Sequence, residues 1–369
     1  MNKNFLFYFI HPAKFHAFRI VINYLKSRGH NVDIAIISKD ILEDLVKEEG
    51  WEYTNIFPEG RRIKYLHTYL SATINLFKTL YRLFKFFKGK KYDLIITDDL
   101  ATFIGRIKGI PVIFFTDDDL KAVPESVILV ASANFVLCPY ITYMGLFSYK
   151  KLGYLGLKSL AHLHPNYFSP DINKINSDLR PYVKNYFFIR CVSATSTHDV
   201  GNKGLSDELL IKIINYLNDK GKVIINTQRT LPQELKKYVY PIEKMNIAHY
   251  LSFAKIFISD STTMCVEAAV LGTPSIEIDD WFEDFEQYKL LSEKYKLLKG
   301  FYPQEENKIF NFIDELLNNQ NLENDFQIRR KAFLNDHIDI TKFMIWLLEN
   351  FPESVKDLRN NIENQKQFF

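Results

Sequence analysis

An α/β fold built from two Rossmann-like, doubly wound domains facing each other across a cleft is what this sequence favours, and three features lead there. Short apolar runs alternate with helical patterns in two successive series along the chain. A stretch punctuated by Gly, Pro, Asn and Asp, residues 153–181, separates the two series and suits an interdomain connection. Residues 258–277 read as strand, polar turn, helix, turn and strand, with the polar chemistry confined to one end. With 369 residues and 47% hydrophobic content, the chain can bury two cores of ordinary size.

In the first series, strands are expected at 5–10, 32–37, 92–97, 112–115 and 135–138. The helix after the first strand carries Phe15, Phe18, Ile22 and Leu25 on one face. The second series places strands at 186–192, 223–226, 256–259, 275–278 and 297–301. From about residue 305 the chain reads as helical and then charged, with an amphipathic portion at 340–351. The Asn- and Gln-rich end, with Asn360, Asn361, Asn364, Gln365 and Gln367, is expected to fray.

A net charge of +3 and a pI near 8.4 do not describe a nucleic-acid binder, which concentrates basic residues on one face at higher pI. Cys138, Cys191 and Cys265 lie far apart in apolar segments, as small buried side chains in a reducing compartment do, so a cytoplasmic location is expected. The apolar run 5–10 is too short for a signal sequence, and no stretch reaches the length of a membrane span. Residues 74–91 set Leu76, Phe77, Leu80, Leu83, Phe84 and Phe87 against Lys78, Arg82, Lys85 and Lys88. That pattern fits a sheet-covering helix with a solvated basic stripe, and it also fits peripheral contact with the inner, anionic face of a membrane.

In open α/β sheets the ligand sits at the carboxyl ends of the strands, so the polar residues just after each strand are the candidates. His16 opens the first helix and serves either as a general base on an acceptor hydroxyl or as a cap. Asp98 ends a buried strand, as a cap or as a functional carboxylate. Asp117, Asp118 and Asp119 stand together; adjacent acids repel one another, and at a cleft rim they can raise one pKa, bind a divalent cation or orient a sugar. In the second half, His198 and Lys203 can neutralise a diphosphate while Gly204 lets backbone amides approach it, and Arg229 follows the next strand. His162 and His164 fall in the connection, as hinge packing or as cleft lining. No zinc spacing, Walker loop, nucleophile elbow or glycine-rich dinucleotide fingerprint occurs, so neither metal nor cofactor is expected.

Within 258–277, Ser259 to Thr263 can cap and open a helix that Gly272-Thr273-Pro274 stops. Such a helix offers unpaired N–H groups and a positive dipole end to an anion like a diphosphate. Glu267, one turn inside, is an isolated carboxylate among Val266, Ala268, Ala269, Val270 and Leu271.

Several motifs together resemble an uncharacterised archaeal and bacterial family, a domain of unknown function (DUF 354) grouped with GT-B glycosyltransferases and UDP-N-acetylglucosamine 2-epimerases. They are His11-Pro12 with His16, Lys26-x-Arg28-Gly29-His30, the run 196–207, Arg229-x-Leu231-Pro232, and Ser261-x-Thr263-Met264 followed by the run 267–274. The resemblance implies a metal-independent glycosyltransferase in polysaccharide biosynthesis, taking a nucleotide sugar (a UDP-sugar above all) to build a cell-surface glycan or glycolipid on a glycan or lipid-linked acceptor. An epimerase or hydrolase acting on a nucleotide sugar is the alternative, and a binding protein without turnover the third. By resemblance, Ser261, Thr262 and Thr263 match the donor-phosphate turn and Glu267 the ribose-binding glutamate. His198 matches the phosphate-side histidine of the epimerases, and Asp98 and Asp117 fall near their first-domain acids. Thr262 stands where a glycine is usual. The resemblance also implies a nucleotide-sugar domain at 161–340, an acceptor domain at 1–160, and a helix and tail at 341–369 returning to the first domain.

Overall fold

The computed structural model describes residues 2–38, 41–59, 68–192 and 204–369. Two compact units emerge: Met1–His162 together with Ile338–Phe369, and Leu163–His337.

The first unit is organised by a seven-stranded sheet of β1 (Asn4–Phe9), β2 (Asn31–Ile37), β3 (Thr54–Phe57), β4 (Leu94–Thr97), β5 (Val112–Phe115), β6 (Phe135–Pro139) and β7 (Lys151–Tyr154). The strands run parallel in the order β3-β2-β1-β4-β5-β6-β7, so the winding reverses between β1 and β4. Helices cover both faces of a parallel sheet, which is why β1 reads as an unbroken apolar run with Phe5, Leu6, Phe7 and Tyr8 fully buried. Reversal opens a crevice at the carboxyl ends of β1 and β4, the standard ligand position in such a sheet. The helix Pro12–Ser27 leaves β1 there, with Pro12 in its first turn and the His11 Nδ1 accepting from the Ala13 N–H at 3.2 Å.

Strands β3 and β7 were not expected from the sequence. Both are four-residue edge strands carrying polar residues or glycine, which weakens the apolar signal, and β7 shortens the punctuated stretch by occupying its start. The end of the chain also departs from expectation. Gln365 is fully buried, donating to the Gly153 carbonyl at 2.7 Å and accepting from the Leu155 N–H at 3.0 Å. Its amide thereby pairs with the open edge of β7, and that bond, together with buried Phe368, holds the segment that polar composition marked for fraying. The helix Ile340–Glu349 packs on Pro12–Ser27, and Lys3 donates to the carbonyls of Glu349, its last residue, and Phe351, just beyond it, both at 2.6 Å.

In the second unit, β8 (Tyr186–Cys191), β9 (Lys222–Thr227), β10 (Ile256–Ser259), β11 (Ser275–Ile278) and β12 (Leu298–Phe301) form a parallel sheet in the order β12-β11-β10-β8-β9. Here the winding reverses between β8 and β10. All five strands fall where the apolar runs placed them, to within a residue or two. The three cysteines are free and buried, and burial pushes the thiols of Cys138 and Cys191 up to about 12. No described helix is long and apolar enough to cross a membrane.

Candidate active site

At the carboxyl ends of β1, β4 and β5 the first unit gathers acids and lysines. Asp98 follows β4, and its Oδ1 accepts from the Ile10 N–H at 3.2 Å, which ties it to the end of β1. Loss of solvent pushes its carboxyl up to about 7, outweighing the pull of Lys14, and Asp99 adds to the rise. A carboxyl poised there exchanges a proton readily near neutrality. Asp99 itself is buried and accepts from the Tyr8 hydroxyl at 3.1 Å.

Asp117, after β5, has the opposite fate. Its carboxylate is buried between two ammonium groups, Lys14 Nζ at 3.2 Å from one oxygen and Lys158 Nζ at 2.6 Å from the other. Burial alone would raise its pKa; Lys158 and Lys14 together hold it well below the usual carboxylate range. Lys14 is itself buried, and Asp117, with Asp118 and Asp98 adding, lifts its pKa above the ordinary lysine value against that burial. The acidic triplet therefore divides by environment. Asp119 accepts from the Tyr143 N–H and serves the loop, whereas Asp117 anchors two cations.

His16 lies one turn into its helix, its ring edge-on to Phe15 and its centroid 5.2 Å from that of His162. His162 thus belongs with the first-unit site, while His164 accepts from the Asn166 N–H at 3.2 Å in the second unit. The Tyr154 hydroxyl, fully buried and within the field of Asp117, has no hydrogen-bond partner among the described residues.

In the second unit, Asp260 follows β10 at the point of reversal. Its Oδ1 accepts from the Val192 N–H at 2.9 Å and its Oδ2 from the Leu205 N–H at 3.3 Å, so one carboxylate fixes both ends of the segment that follows β8. Burial nevertheless raises its pKa above the usual carboxylate range, against those backbone donors and Arg229. Gly204 packs against this side chain: a Cβ there would lie 2.9 Å from both Asp260 Cβ and Oδ2. Arg229 donates to the Leu205 carbonyl at 2.6 Å and pairs with Asp207 at 3.0 Å, bracing the start of the helix Asp207–Asn218. His198 and Lys203 lie outside the described residues.

The helix Thr262–Val270 begins directly after Asp260-Ser261. Its N-cap, Ser261, makes no side-chain cap bond, and the Ser261 N–H turns back to Ser259 Oγ at 2.9 Å. The expected capping by this Ser/Thr turn is absent, which leaves the first-turn N–H groups for another acceptor. Thr262 takes up an ordinary helical conformation, so the chain needs no glycine there. Glu267 is buried, not on the surface. Behind this turn sits a pair of acids with no counterpart among the sequence expectations. Glu277 in β11 and Asp279 just after it are fully buried neighbours. Burial raises the Glu277 carboxyl well above the usual range, the adjacent Asp279 adds to the rise, and Thr262 opposes it. Asp279, whose Oδ1 accepts from Trp281 and Phe282 N–H groups, is pushed up to about 6 by burial.

No family model matches the sequence, nor does any curated protein. Solved structures do. The spinosyn forosaminyltransferase superposes with a TM-score of 0.62 at 13% identity, covering 95% of this chain and 100% of its own. The UDP-GlcNAc 2-epimerase of Methanocaldococcus jannaschii, in complex with UDP-GlcNAc and UDP, gives 0.61 at 13% identity over 89% of this chain and 99% of its own. The glycotransferase of kitacinnamycin gives 0.59 at 12% identity over 95% and 99%. The fold is GT-B.

At such identities the GT-B likeness carries the architecture alone, and no family model supports the narrower resemblance to the uncharacterised family. Among the expected site residues, the GT-B chain places His16, Asp98 and Asp117 at one set of strand ends, and Gly204, Arg229 and Ser261 to Glu267 at another. Lys14 and Asp260 fall within the polar stretches expected after β1 and β10 without being singled out, and Lys158 and Glu277 were missed. Asp260, an acid at the end of an apolar run, and Glu277, an acid between Ile276 and Ile278 inside one, carried a signal; Lys158 sits in a loop with nothing local to mark it. Among the described residues no group of three His, Cys, Asp or Glu side chains could hold a metal ion.

Proposed function

We propose that the chain is a glycosyltransferase that takes a sugar from a nucleotide donor, a UDP-sugar above all, and passes it to a hydroxyl of a glycan or lipid-linked acceptor. Asp98 carries the reading: a carboxyl whose pKa lies near neutrality, at the winding reversal of the first sheet, is suited to accept a proton from an attacking hydroxyl. In this scheme His16, one helical turn from the same strand end, orients the acceptor or shares the base role, and Asp117 holds Lys14 and Lys158 in place without moving a proton. The donor belongs to the second unit, its diphosphate at the first turn of Thr262–Val270 and its ribose at Glu267, with Arg229, and the sequence candidates His198 and Lys203, assigned to neutralising the diphosphate.

The M. jannaschii epimerase among the structural neighbours supports a second reading, epimerisation or hydrolysis of a nucleotide sugar, with Asp98, Asp117 and His198 moving protons. Clamping of Asp117 by two lysines weighs against it, because an acid held ionised is a poor proton donor. The experiment incubates the protein with a panel of nucleotide sugars, with and without glycan and lipid-linked acceptors, and follows nucleotide release. Release that depends on an acceptor supports transfer. Equal consumption of donor without one supports the epimerase or hydrolase, and tight binding with no turnover leaves a nucleotide-sugar-binding protein.

A further inference from the structure

From residue 60 to residue 92 the sequence holds nine lysines and arginines and not one aspartate or glutamate. Without those nine, the remaining 38 basic residues face 44 acidic ones, so the positive charge of this chain resides in one segment. The described part of that segment is the helix Thr68–Phe86 and the turn after it. Asn75, Thr79, Leu83 and Phe87 face inward, each 3% exposed or less. A second apolar row runs along the outside: Ile74 is 44% exposed, Phe77 67%, Tyr81 71% and Phe84 42%. Their spacing of three, four and three residues sets them in one stripe; Lys85 lies on the same side by helical periodicity, and the exposed Lys88 follows in the turn after the helix. Lys78 and Arg82 pair with Glu59, whereas Lys85 and Lys88 have no acidic partner among the described residues.

A sheet-covering helix has no need of that outer row. We infer that this face docks the protein on an anionic lipid bilayer, Phe77, Tyr81 and Phe84 entering the headgroup boundary and Lys85 and Lys88 meeting lipid phosphates, a juxtaposition set by the helix Thr68–Phe86. Exposed aromatic and aliphatic side chains bordered by lysines with no acidic partner among the described residues are complementary to an acyl boundary beneath anionic headgroups. A second copy of the chain is a worse occupant, since it would bring like charges together. Nucleic acid would engage the lysines and leave Ile74 and Phe84 without a role. Membrane docking by this face is independent of the proposed reaction.

Flotation of the full chain with two kinds of vesicle tests it: phosphatidylcholine alone, and phosphatidylcholine with phosphatidylglycerol. The chain is expected to bind the phosphatidylglycerol vesicles about tenfold more tightly than the neutral ones, and less so as salt rises. F77S/F84S should lower that binding about tenfold at low salt, and K85E/K88E should abolish the preference for the anionic vesicles. As these side chains are exposed, melting temperatures should stay at the parent value. An environment-sensitive dye on Y81C, expected to shift to the blue with anionic vesicles, gives a second readout that needs neither pair. Absence of binding to phosphatidylglycerol vesicles, or binding unchanged in both paired variants, overturns the proposal. So does concentration-dependent dimerisation or oligonucleotide binding that the F77S/F84S change abolishes while vesicle binding persists.

Discussion

Asp98 and Asp117 both feel the charge of Lys14, yet their surroundings drive them to opposite protonation behaviour. Two carboxyls separated in this way take different roles, one able to exchange a proton and one a fixed anion. Asp98→Asn should therefore lower the transfer rate roughly a hundredfold or more while leaving nucleotide affinity intact. In the parent, the rate should climb as pH rises through about 7, where Asp98 loses its proton, and that limb should vanish in the variant. If the limb survives in Asp98→Asn and disappears in His16→Ala, His16 is the base. Glu277 supplies a test of stability at the same scale. Its folded pKa is raised, so the unfolded chain gives up the proton first and stability falls as pH climbs above the ordinary glutamate value towards the folded one. Glu277→Gln should match the parent at about pH 4 and melt at a higher temperature at about pH 8, since glutamine cannot ionise and so removes the advantage that ionisation gives the unfolded chain. Equal melting temperatures at the higher pH would mean that Glu277 ionises in the fold.

The helix Thr262–Val270 and the strands around it show how far an element can be read before its neighbours are known. Strand, turn, helix and strand were all legible, because β10 and β11 are buried on both faces and the Gly272-Thr273-Pro274 stop is local. The cap bonds were not, since a Ser or Thr at the right position offers a cap without obliging one. Gly204 was assigned to phosphate approach on composition, whereas the structure gives it a second reason to be glycine, the side chain of Asp260, which arrives from 56 residues further along. Gly204→Ala should cost about 1–3 kcal/mol, the usual range for overpacking at a tight contact, measured by denaturant unfolding. Glu267→Ala tests the proposed ribose contact. Nucleotide binding by calorimetry should weaken by about 1–3 kcal/mol, the scale of a lost charge-assisted hydrogen bond, with the melting temperature of the nucleotide-free protein as the control for folding.

At the scale of the whole molecule, the sequence order and the structural order differ: the first unit is assembled from both ends of the chain, and the second is one continuous segment. Strand periodicity revealed both sheets, but no local pattern says which sheet a terminal helix will cover. What decides it here is partners far off in sequence. The Ile338 N–H donates to the Leu155 carbonyl at 2.9 Å, Thr341 Oγ1 to the Ala161 carbonyl at 2.6 Å, and Gln365 pairs with β7. Ile340, Phe343, Met344, Leu347 and Leu348 are fully buried. At roughly 1.5–3 kcal/mol for each such side chain, their burial rivals the total stability of an ordinary domain. A chain ending before Ile338 should thus lose cooperative unfolding of its first unit, seen as loss of the upper or lower transition in calorimetry and as new protease cleavage within 1–162. The segment 163–337 gives up none of its own core in that truncation. Expressed alone, it should keep a sigmoidal denaturation curve and, if the donor belongs to the second unit, the nucleotide affinity of the full chain. A folded 163–337 segment that no longer binds nucleotide would move the donor contacts to the first unit, and with them the roles proposed for Glu267 and the turn at Ser261.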